Sequence, residues 1–297
     1  MRPLRGCTWL AAFGTLVALS VPVMGSAQKV IALMSSDLEP YRLAYKGLEE
    51  ELGHRVPSQS LDGRTPAIPG EVRVVVAIGS RAALQEYPED VVLIYCMAPG
   101  TGSRDTHHAG RSVKIHMLPR SASVVAKIRE LQPDLSRLAV FWSSRSTAEY
   151  LEGLASQMAS ESLEILTKRL EKPEDIPDRL RDLAKQEVDA LWLLPDPLLV
   201  NARTFSMLKE FAWSNDVPFY APTAGLVAKG AVASVSSSFE EIGRTAGTAT
   251  RLALQGALGA DQMYPRRIET NLNLTAAKQT GLFVPDHLRR KIDKVLQ

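Results

Sequence analysis

The segment VDALWLLPDPLLVN, from Val188 to Asn201, is apolar over its first half and then breaks at a carboxylate between two prolines. A short apolar run that ends at a proline is typical of a buried β-strand. Because nearly every residue of the run is apolar, both faces of the strand must be covered, as they are in a parallel sheet flanked by helices. The segment therefore predicts a parallel strand that ends at Pro195-Asp196-Pro197.

Apolar runs of the same kind alternate with helical patterns along the rest of the chain. In the helical segment YRLAYKGLEEELG, for example, Tyr41, Ala44, Leu48 and Leu52 lie at spacings of three to four. The other predicted strands are VIALMS (30–35), VRVVVAIGS (72–80), VVLIYCM (91–97), RLAVFWSS (137–144), LEILTKRL (163–170) and VPFYAP (217–222). Apolar strands joined by helices indicate an α/β fold built from doubly wound parallel sheets.

Two breaks in this alternation predict two lobes joined by a multi-strand hinge. Polar residues and a proline replace the buried pattern in RSVKIHMLPRS (111–121), and a second crossing is expected around AVASVSSS (231–238), before a serine-capped helix. A hinge of several strands would let the lobes close on each other. The predicted lobes comprise residues 28–118 with 236–262, and residues 119–235 with 263–297.

The amino terminus has the pattern of a secretory signal peptide. Arg2 and Arg5 precede an apolar run from Trp9 to Met24, and the small residues 25–27 follow it. An uncleaved membrane anchor is the alternative, but the run is interrupted by glycine, serine and proline and is short for a bilayer span. We expect cleavage after Ala27 and export to the periplasm, with no membrane-spanning segment in the mature chain.

Charge and cysteine content exclude some classes of function. The chain has 35 Lys and Arg against 33 Asp and Glu, and removal of a leader with two arginines and no acid makes it formally neutral. A neutral chain gives no electrostatic reason to expect nucleic acid as a partner. Only Cys96 would remain in the mature chain, so no internal disulfide can form. Within an apolar strand, Cys96 is predicted to be a small buried hydrophobe rather than a reactive nucleophile.

The residues that follow the predicted strands are small, hydroxylic and include one acid. In open parallel sheets, ligands bind beyond the carboxyl ends of the strands. Serines at helix N-termini favour a bound anion, and Asp196 is suited to hold an ammonium group, so the set fits a zwitterion such as an amino acid. The candidate ligand-binding residues are Ser35, Ser36, Gly79, Ser80, Ser143, Ser144, Asp196, Tyr220 and Thr223.

Each candidate also has a purely structural interpretation. Serines before helices commonly serve only as N-caps, and Asp196 between prolines is compatible with a simple turn. Since Asp196 is placed on a loop, its replacement by alanine is expected to weaken ligand binding with little loss of fold. Trp142 and Trp192 are predicted to belong to the core.

Signatures of catalysis are missing from the sequence. Residues 100–102 read Gly-Thr-Gly but lack the third glycine of a dinucleotide-binding loop, and neither a P-loop nor a nucleophile elbow occurs. We expect no enzymatic activity and no cofactor. Asp105, His107, His108 and His116 form the one histidine cluster; a zinc site there is the alternative to solvated loop histidines.

The order of segments resembles the ABC-transporter substrate-binding proteins of bacteria, a family that includes putative tryptophan- and tyrosine-binding members. The similarity lies in the helix YRLAYKGLEEELG, the strands VVVAIGSRAA and VDALWLLPD, the segment from Val217 to Gly247, and the tail NLNLTAAKQTGLFVPDHLRRKIDKVL (271–296). It implies a type I periplasmic binding-protein fold, no catalysis, and a tail that ends in a helix.

This resemblance implies a solute-binding protein of an ABC uptake system, with a permease in the inner membrane as partner. The alternative is a periplasmic ligand-sensing module that signals to a membrane receptor without transport. One departure bears on the ligand: where the family commonly has Asp-Pro after the third strand, this chain has Met97-Ala98-Pro99. The loss of that acid weakens the case for an amino acid.

Overall fold

The computed structural model describes residues 29–62, 65–102, 105–158 and 163–297 of the chain. The predicted signal peptide, residues 1–27, lies outside the described residues. Among those described, no helix is long and apolar enough to cross a membrane.

The first sheet has six strands within the described part of the chain, and all its pairs are parallel. Every residue of its central strand Val74–Ile78 is buried, which explains why the run is apolar on both faces. From edge to edge the strands are β11 (Gln262–Met263), β5 (Ser112–Ile115), β4 (Val92–Cys96), β3 (Val74–Ile78), β1 (Val30–Met34) and β2 (Ser58–Ser60).

The second sheet has seven strands in the described residues, and one pair is antiparallel, β10 with β12. The segment 188–201 supplies an inner strand, β8, whose four residues are all buried. From edge to edge the strands are β13 (Lys294–Leu296), β12 (Glu269–Asn273), β10 (Ala233–Ser236), β9 (Phe219–Ala221), β8 (Ala190–Leu193), β6 (Arg137–Trp142) and β7 (Glu164–Arg169). Two parallel-dominated sheets confirm the predicted α/β fold.

Helices connect the strands and cover the sheets. Helices α1 and α8 pack side by side on the first sheet, whereas α3 and α4 pack together on the second. The helices are α1 (Glu39–Leu52), α2 (Ser80–Ala83), α3 (Ser121–Leu131), α4 (Arg145–Met158), α5 (Ile176–Leu183), α6 (Ala202–Ser214), α7 (Ala224–Val227), α8 (Phe239–Leu254), α9 (Leu274–Gln279) and α10 (Asp286–Arg289).

Glycines allow α1 and α8 to approach until their backbones touch. A Cβ atom at Gly243 would lie 1.8 Å from the carbonyl oxygen of Ala44, and one at Gly47 would lie 2.0 Å from that of Glu240. No side chain fits at either position. Helix α8, which follows strand β10 of the second sheet, is thereby fixed to the first helix of the first sheet.

The chain passes between the two sheets three times: from β5 to α3, from β10 to α8, and from β11 to β12. These passages place the carboxyl ends of the two sets of parallel strands toward each other across a cleft. The predicted division into lobes, residues 28–118 with 236–262 and residues 119–235 with 263–297, stays a prediction.

Two sequence predictions are corrected. A crossing was expected at residues 111–121, and the chain does pass there from β5 to α3, but the segment is not polar throughout, because it begins with β5, in which Val113 and Ile115 are buried. The tail was expected to end in a helix, but α10 has only four residues and the chain ends in β13, which pairs with β12. Pairing with a neighbour satisfies the backbone of a three-residue segment that is too short to form a stable helix.

Candidate functional site

Asp196, the acid between the two prolines, is fully buried in the second sheet's side of the cleft. Its carboxylate accepts hydrogen bonds from the backbone N–H groups of Ser143 and Ser144 at 2.9 and 3.1 Å, and from that of Leu198 at 3.1 Å. It also accepts from the hydroxyls of Ser143 and, at 3.0 Å, Thr147. The acid therefore ties the end of β8 to the loop that starts α4.

These contacts determine the charge state of Asp196. Burial by itself would raise the pKa of the carboxyl, but the hydrogen bonds from Ser143, Ser144 and Leu198 outweigh it and lower the pKa. Because both carboxylate oxygens accept protein donors, we now expect replacement of Asp196 to destabilise the fold, in contrast to the prediction from its loop position. Its predicted role in holding a ligand stays a prediction.

The flanking prolines face the first sheet across the cleft. Pro195 lines a cavity there, and Pro197 lies opposite Gly100, where a Cβ atom would come within 2.7 Å of the proline Cγ. Gly100 also has a φ of +79°, a conformation that L side chains rarely adopt. In the Pro-Asp-Pro turn, Asp196 thus fixes the loop before α4, and Pro197 contacts the other side of the cleft.

Between the two sheets lies a cavity of about 470 Å³, measured with the part open to solvent. The part that a water-sized molecule can reach is only about 40 Å³, which is less than a small-molecule site occupies. Both sheets contribute to its walls, and none of the nine predicted residues is among the lining residues, although several are their chain neighbours. The walls consist of Tyr95, Ala98, Pro99, Gly100, Lys114, Ile115, His116, Met117, Leu118, Ser146, Thr147, Tyr150, Leu194 and Pro195.

The first sheet contributes a lysine and a tyrosine to this cavity from neighbouring strands. Lys114 and Tyr95 are paired in the register of β5 with β4, and they are 7% and 1% exposed. The lysine ammonium donates to the hydroxyl of Ser146, on α4 across the cleft, and burial lowers its pKa. The Tyr95 hydroxyl has no hydrogen-bond partner among the described residues.

A stack of rings closes the cavity beside the crossings. His116 lies on Tyr264 with 4.0 Å between ring centroids, and its Nε2 is 2.8 Å from the side-chain oxygen of Gln262. Burial lowers the pKa of His116 to about 4, against the opposing effect of that hydrogen bond. The ring is therefore neutral at pH 7. Tyr150 adds a further ring and donates its hydroxyl to the carbonyl of Pro119 at 2.9 Å.

Sequence reasoning missed Lys114 and His116 as cleft residues because it treated their segment as a polar crossing. The apolar residues Val113, Ile115 and Met117 alternate with these polar ones, which is the period of a half-buried strand. That alternation was the available signal.

The other predicted residues lie at strand ends, and Ser35, Gly79 and Tyr220 contact other parts of the protein there. The hydroxyl of Ser35 accepts from the backbone N–H of Ala82 at 2.9 Å, and Gly79 lies against that serine. Tyr220 is 1% exposed and donates to Gln132. Ser36 follows β1, Ser80 begins α2, and Thr223 precedes α7. The ligand-binding role of the nine residues stays a prediction.

The structure also tests the sequence predictions for the cysteine, two tryptophans and the histidine cluster. Cys96 is buried, and burial raises the pKa of its thiol to about 12, so it is the unreactive hydrophobe that was predicted. Trp192 belongs to the core as predicted, whereas Trp142 is only half-buried. In the described part of the chain, no three metal-ligating side chains converge. The prediction of solvated loop histidines is wrong for His108 and His116, which are both buried; Nε2 of His108 lies 3.0 Å from the carbonyl of Val91.

Solved structures with the same fold include bacterial substrate-binding proteins. A domain from Streptococcus pneumoniae in complex with L-Trp is 18% identical, with a TM-score of 0.64, over 91% of this chain and 100% of that chain. A ligand-free, open substrate binding protein with adhesive properties from Clostridium difficile is 14% identical, with a TM-score of 0.66, over 91% and 99%. A conserved domain protein from Vibrio cholerae is 16% identical, with a TM-score of 0.64, over 91% and 100%. The fold is that of the type I periplasmic binding proteins.

Comparison with curated proteins found no match. A family model described as ABC transporter substrate binding protein, in contrast, matches residues 120–296. That match spans more than half of the chain, so the chain belongs to the ABC transporter substrate binding protein family.

Proposed function

We propose that the protein is the exported solute-binding component of an ABC uptake system. It would capture a small molecule in the cavity between its two lobes and deliver it to an inner-membrane permease. The observation that carries this proposal is the cavity itself, whose walls come from both sheets. A site built from two bodies couples ligand binding to their closure, as a carrier that must bind and release requires.

Contacts across the cleft describe how closure would work. Lys114 reaches Ser146 on the opposite side, and Gly100 meets Pro197. A ligand that touches both walls adds its contacts only when the lobes are together, and it therefore favours the closed arrangement. The surface formed by closure would then be recognised by the permease. We assign no catalytic role to any residue of the cleft.

The periplasm is the proposed location, reached through the predicted leader of residues 1–27. The Streptococcus pneumoniae structure with the same fold holds L-Trp, so an amino acid is one candidate ligand. The apolar walls formed by Ile115, Met117, Leu118 and Leu194 fit a ligand with an apolar body.

The test is a thermal-shift screen of residues 28–297 against amino acids, peptides, sugars, nucleosides and organic acids, followed by small-angle scattering with any ligand found. One chemical class is expected to raise the melting temperature, since a ligand at a hundred times its Kd stabilises by about 2.7 kcal/mol. The radius of gyration is expected to fall on binding. Absence of any response across the panel would contradict the proposal.

A matched pair of variants locates the site. Ser146→Phe places a ring in the cavity and is expected to weaken binding at least roughly tenfold, whereas Ser206→Phe puts the same ring on the exposed face of α6 and should leave affinity unchanged. Equal affinities in the two variants would show that the ligand binds elsewhere.

A further inference from the structure

Two polar side chains on the first sheet point to the chemical class of the ligand. Tyr95 and Lys114 are register partners on adjacent parallel strands, so their side chains leave the same face of the sheet. Both line the cavity, and both are more than nine-tenths buried. The cavity therefore presents a hydroxyl and an ammonium side by side.

The Tyr95 hydroxyl lacks a hydrogen-bond partner in the described structure. Leaving a buried donor unsatisfied costs about 1–3 kcal/mol, and native proteins rarely accept this without a functional reason. Burial raises the pKa of the phenol, so the hydroxyl keeps its proton and can donate. A ligand oxygen in the cavity would satisfy it.

The Lys114 ammonium has three donors, and one of them goes to Ser146. Within the described residues it forms no ion pair. The acids that act on it through space, Glu149 and Asp105, are engaged elsewhere: Glu149 pairs with Arg145 at 3.8 Å, and Asp105 accepts from the backbone N–H of Gly102 at 2.7 Å. A buried cation without a contacting anion is unfavourable, and an anionic ligand would compensate it.

The opposite wall also favours negative charge. Ser146 and Thr147 lie in the first turn of α4, a helix of 14 residues. The N-terminus of a helix carries partial positive charge and stabilises anions near it. The two walls thus present the same electrostatic preference to a group held between them.

The described part of the cavity wall offers no negatively charged partner for an ammonium group. Its described lining includes no Asp or Glu, and the carboxylate of Asp196 is occupied by protein donors behind the wall. The rest of the lining includes apolar residues such as Ile115, Met117 and Leu118 together with the polar residues His116 and Thr147. An α-amino group would lose its hydration there without a charged partner.

Building on the proposed function, we propose that the ligand is a small organic carboxylate with an apolar body, whose anionic group is held by Lys114 and Tyr95 and which needs no ammonium group. An amino acid would then bind more weakly than the acid of the same carbon skeleton that lacks the amino group. The preference follows from a cavity with two buried donors and no acceptor of opposite charge.

The test measures Kd by calorimetry for matched series on phenylpropyl, isopentyl and straight-chain pentyl skeletons. Each skeleton is presented as the carboxylate, the α-amino acid, the amine and the amide. Carboxylates are expected to bind at least tenfold more tightly than the other forms. Equal or tighter binding of amines, amides or amino acids would overturn this inference, and so would no binding of any carboxylate. The proposed function would still stand if the broad screen found a ligand of another class.

Two variants test the assigned residues. Lys114→Met is expected to weaken carboxylate binding roughly 10- to 100-fold, and Tyr95→Phe roughly fivefold, because each removes a donor to a charged group. Tyr87→Phe, which removes a buried hydroxyl that donates to the carbonyl of Ala82 outside the cavity lining, serves as the control and should bind the carboxylate with little change. Since Tyr95→Phe preserves shape, undiminished carboxylate affinity in that folded variant and in Lys114→Met would contradict the assignment.

Discussion

The two sides of the cleft hold their charged residues in different ways. On the second sheet's side, Asp196 is fully buried and accepts five hydrogen bonds from its own protein. On the first sheet's side, Lys114 is 7% exposed and makes one described hydrogen bond, next to a tyrosine hydroxyl that makes none. Both carboxylate oxygens of Asp196 accept hydrogen bonds within the protein, whereas Lys114 and Tyr95 retain donors that have no described partner.

This difference separates a residue that builds the site from residues that are available to a ligand. A charged side chain at the end of a strand is an obvious candidate for ligand binding, but its role depends on how many of its donors or acceptors have no partner in the protein. By that measure Asp196 stabilises the wall, and Lys114 and Tyr95 are the groups that we propose to recognise a solute.

The largest effect is expected for Asp196→Ala. The substitution leaves the donors of Ser143, Ser144 and Thr147 without their acceptor inside the protein, and the free energy of unfolding should fall by roughly 3 kcal/mol. Chemical denaturation of the variant beside the wild type measures this loss. A fall below about 1 kcal/mol would mean that water replaces the carboxylate and that the two walls are less different than described.

Lowering the pH should remove the contribution of the Asp196 carboxylate to stability. Because the folded-state pKa of Asp196 is lowered, its stabilisation is fully present above the unfolded pKa of about 3.9 and is lost as the pH falls through the lower folded value. In Asp196→Asn, which has no carboxyl to titrate, the loss of stability below about pH 4 should be smaller than in the wild type.

Contact between the walls is tested by Gly100→Val. A Cβ atom there would lie 2.7 Å from Cγ of Pro197, and the backbone φ is +79°, so the variant should hold the cleft open and weaken ligand binding roughly tenfold. Calorimetry and small-angle scattering measure the two effects. Gly259→Val, where no atom lies within 4 Å of the added Cβ, is the control; equal affinities in both variants would exclude closure at Gly100.

Removing one hydroxyl from a satisfied tyrosine should have a smaller effect. Tyr220→Phe deletes the hydrogen bond to Gln132, which measures 3.0 Å between fully buried groups, and is expected to lower stability by about 1 kcal/mol. Since Tyr220 lines no part of the cavity, ligand affinity should not change. Loss of affinity at unchanged stability would restore Tyr220 as a ligand contact.

The smallest effect on the free protein is expected for Tyr95→Phe. Like Tyr220→Phe, this substitution removes one tyrosine hydroxyl, but the hydroxyl of Tyr95 has no described partner. The stability of the ligand-free protein should therefore stay the same or rise slightly. Thermal unfolding without ligand measures it. A destabilisation equal to that of Tyr220→Phe would show that this hydroxyl is satisfied within the protein and is not free for a solute.

Local apolar patterns were enough to predict several features of the molecule. The fully buried runs in β3 and β8 indicate parallel strands covered on both faces, and the spacing of Tyr41, Ala44 and Leu48 indicates a helix. These properties depend on residues close together in the chain, where burial and periodicity are directly encoded. The α/β class, the order of most strands along the chain, and the burial of Cys96 follow from them.

Neighbours distant in sequence were decided only by the tertiary structure. Asp196 accepts hydrogen bonds from Ser143 and Thr147, about fifty residues earlier in the chain. Lys114 lies beside Tyr95 because β5 pairs with β4, and the sequence analysis did not identify β5 as a strand. The final residues became a strand because β12 offered an edge to pair with, and a short segment has too little helical stability of its own to resist. The sequence by itself determined the fully apolar parallel strands and where an acid follows one of them. Packing and register determined that this acid is fully hydrogen-bonded and that a lysine faces the cavity, because hydrogen bonds and charges depend on which groups the fold brings together.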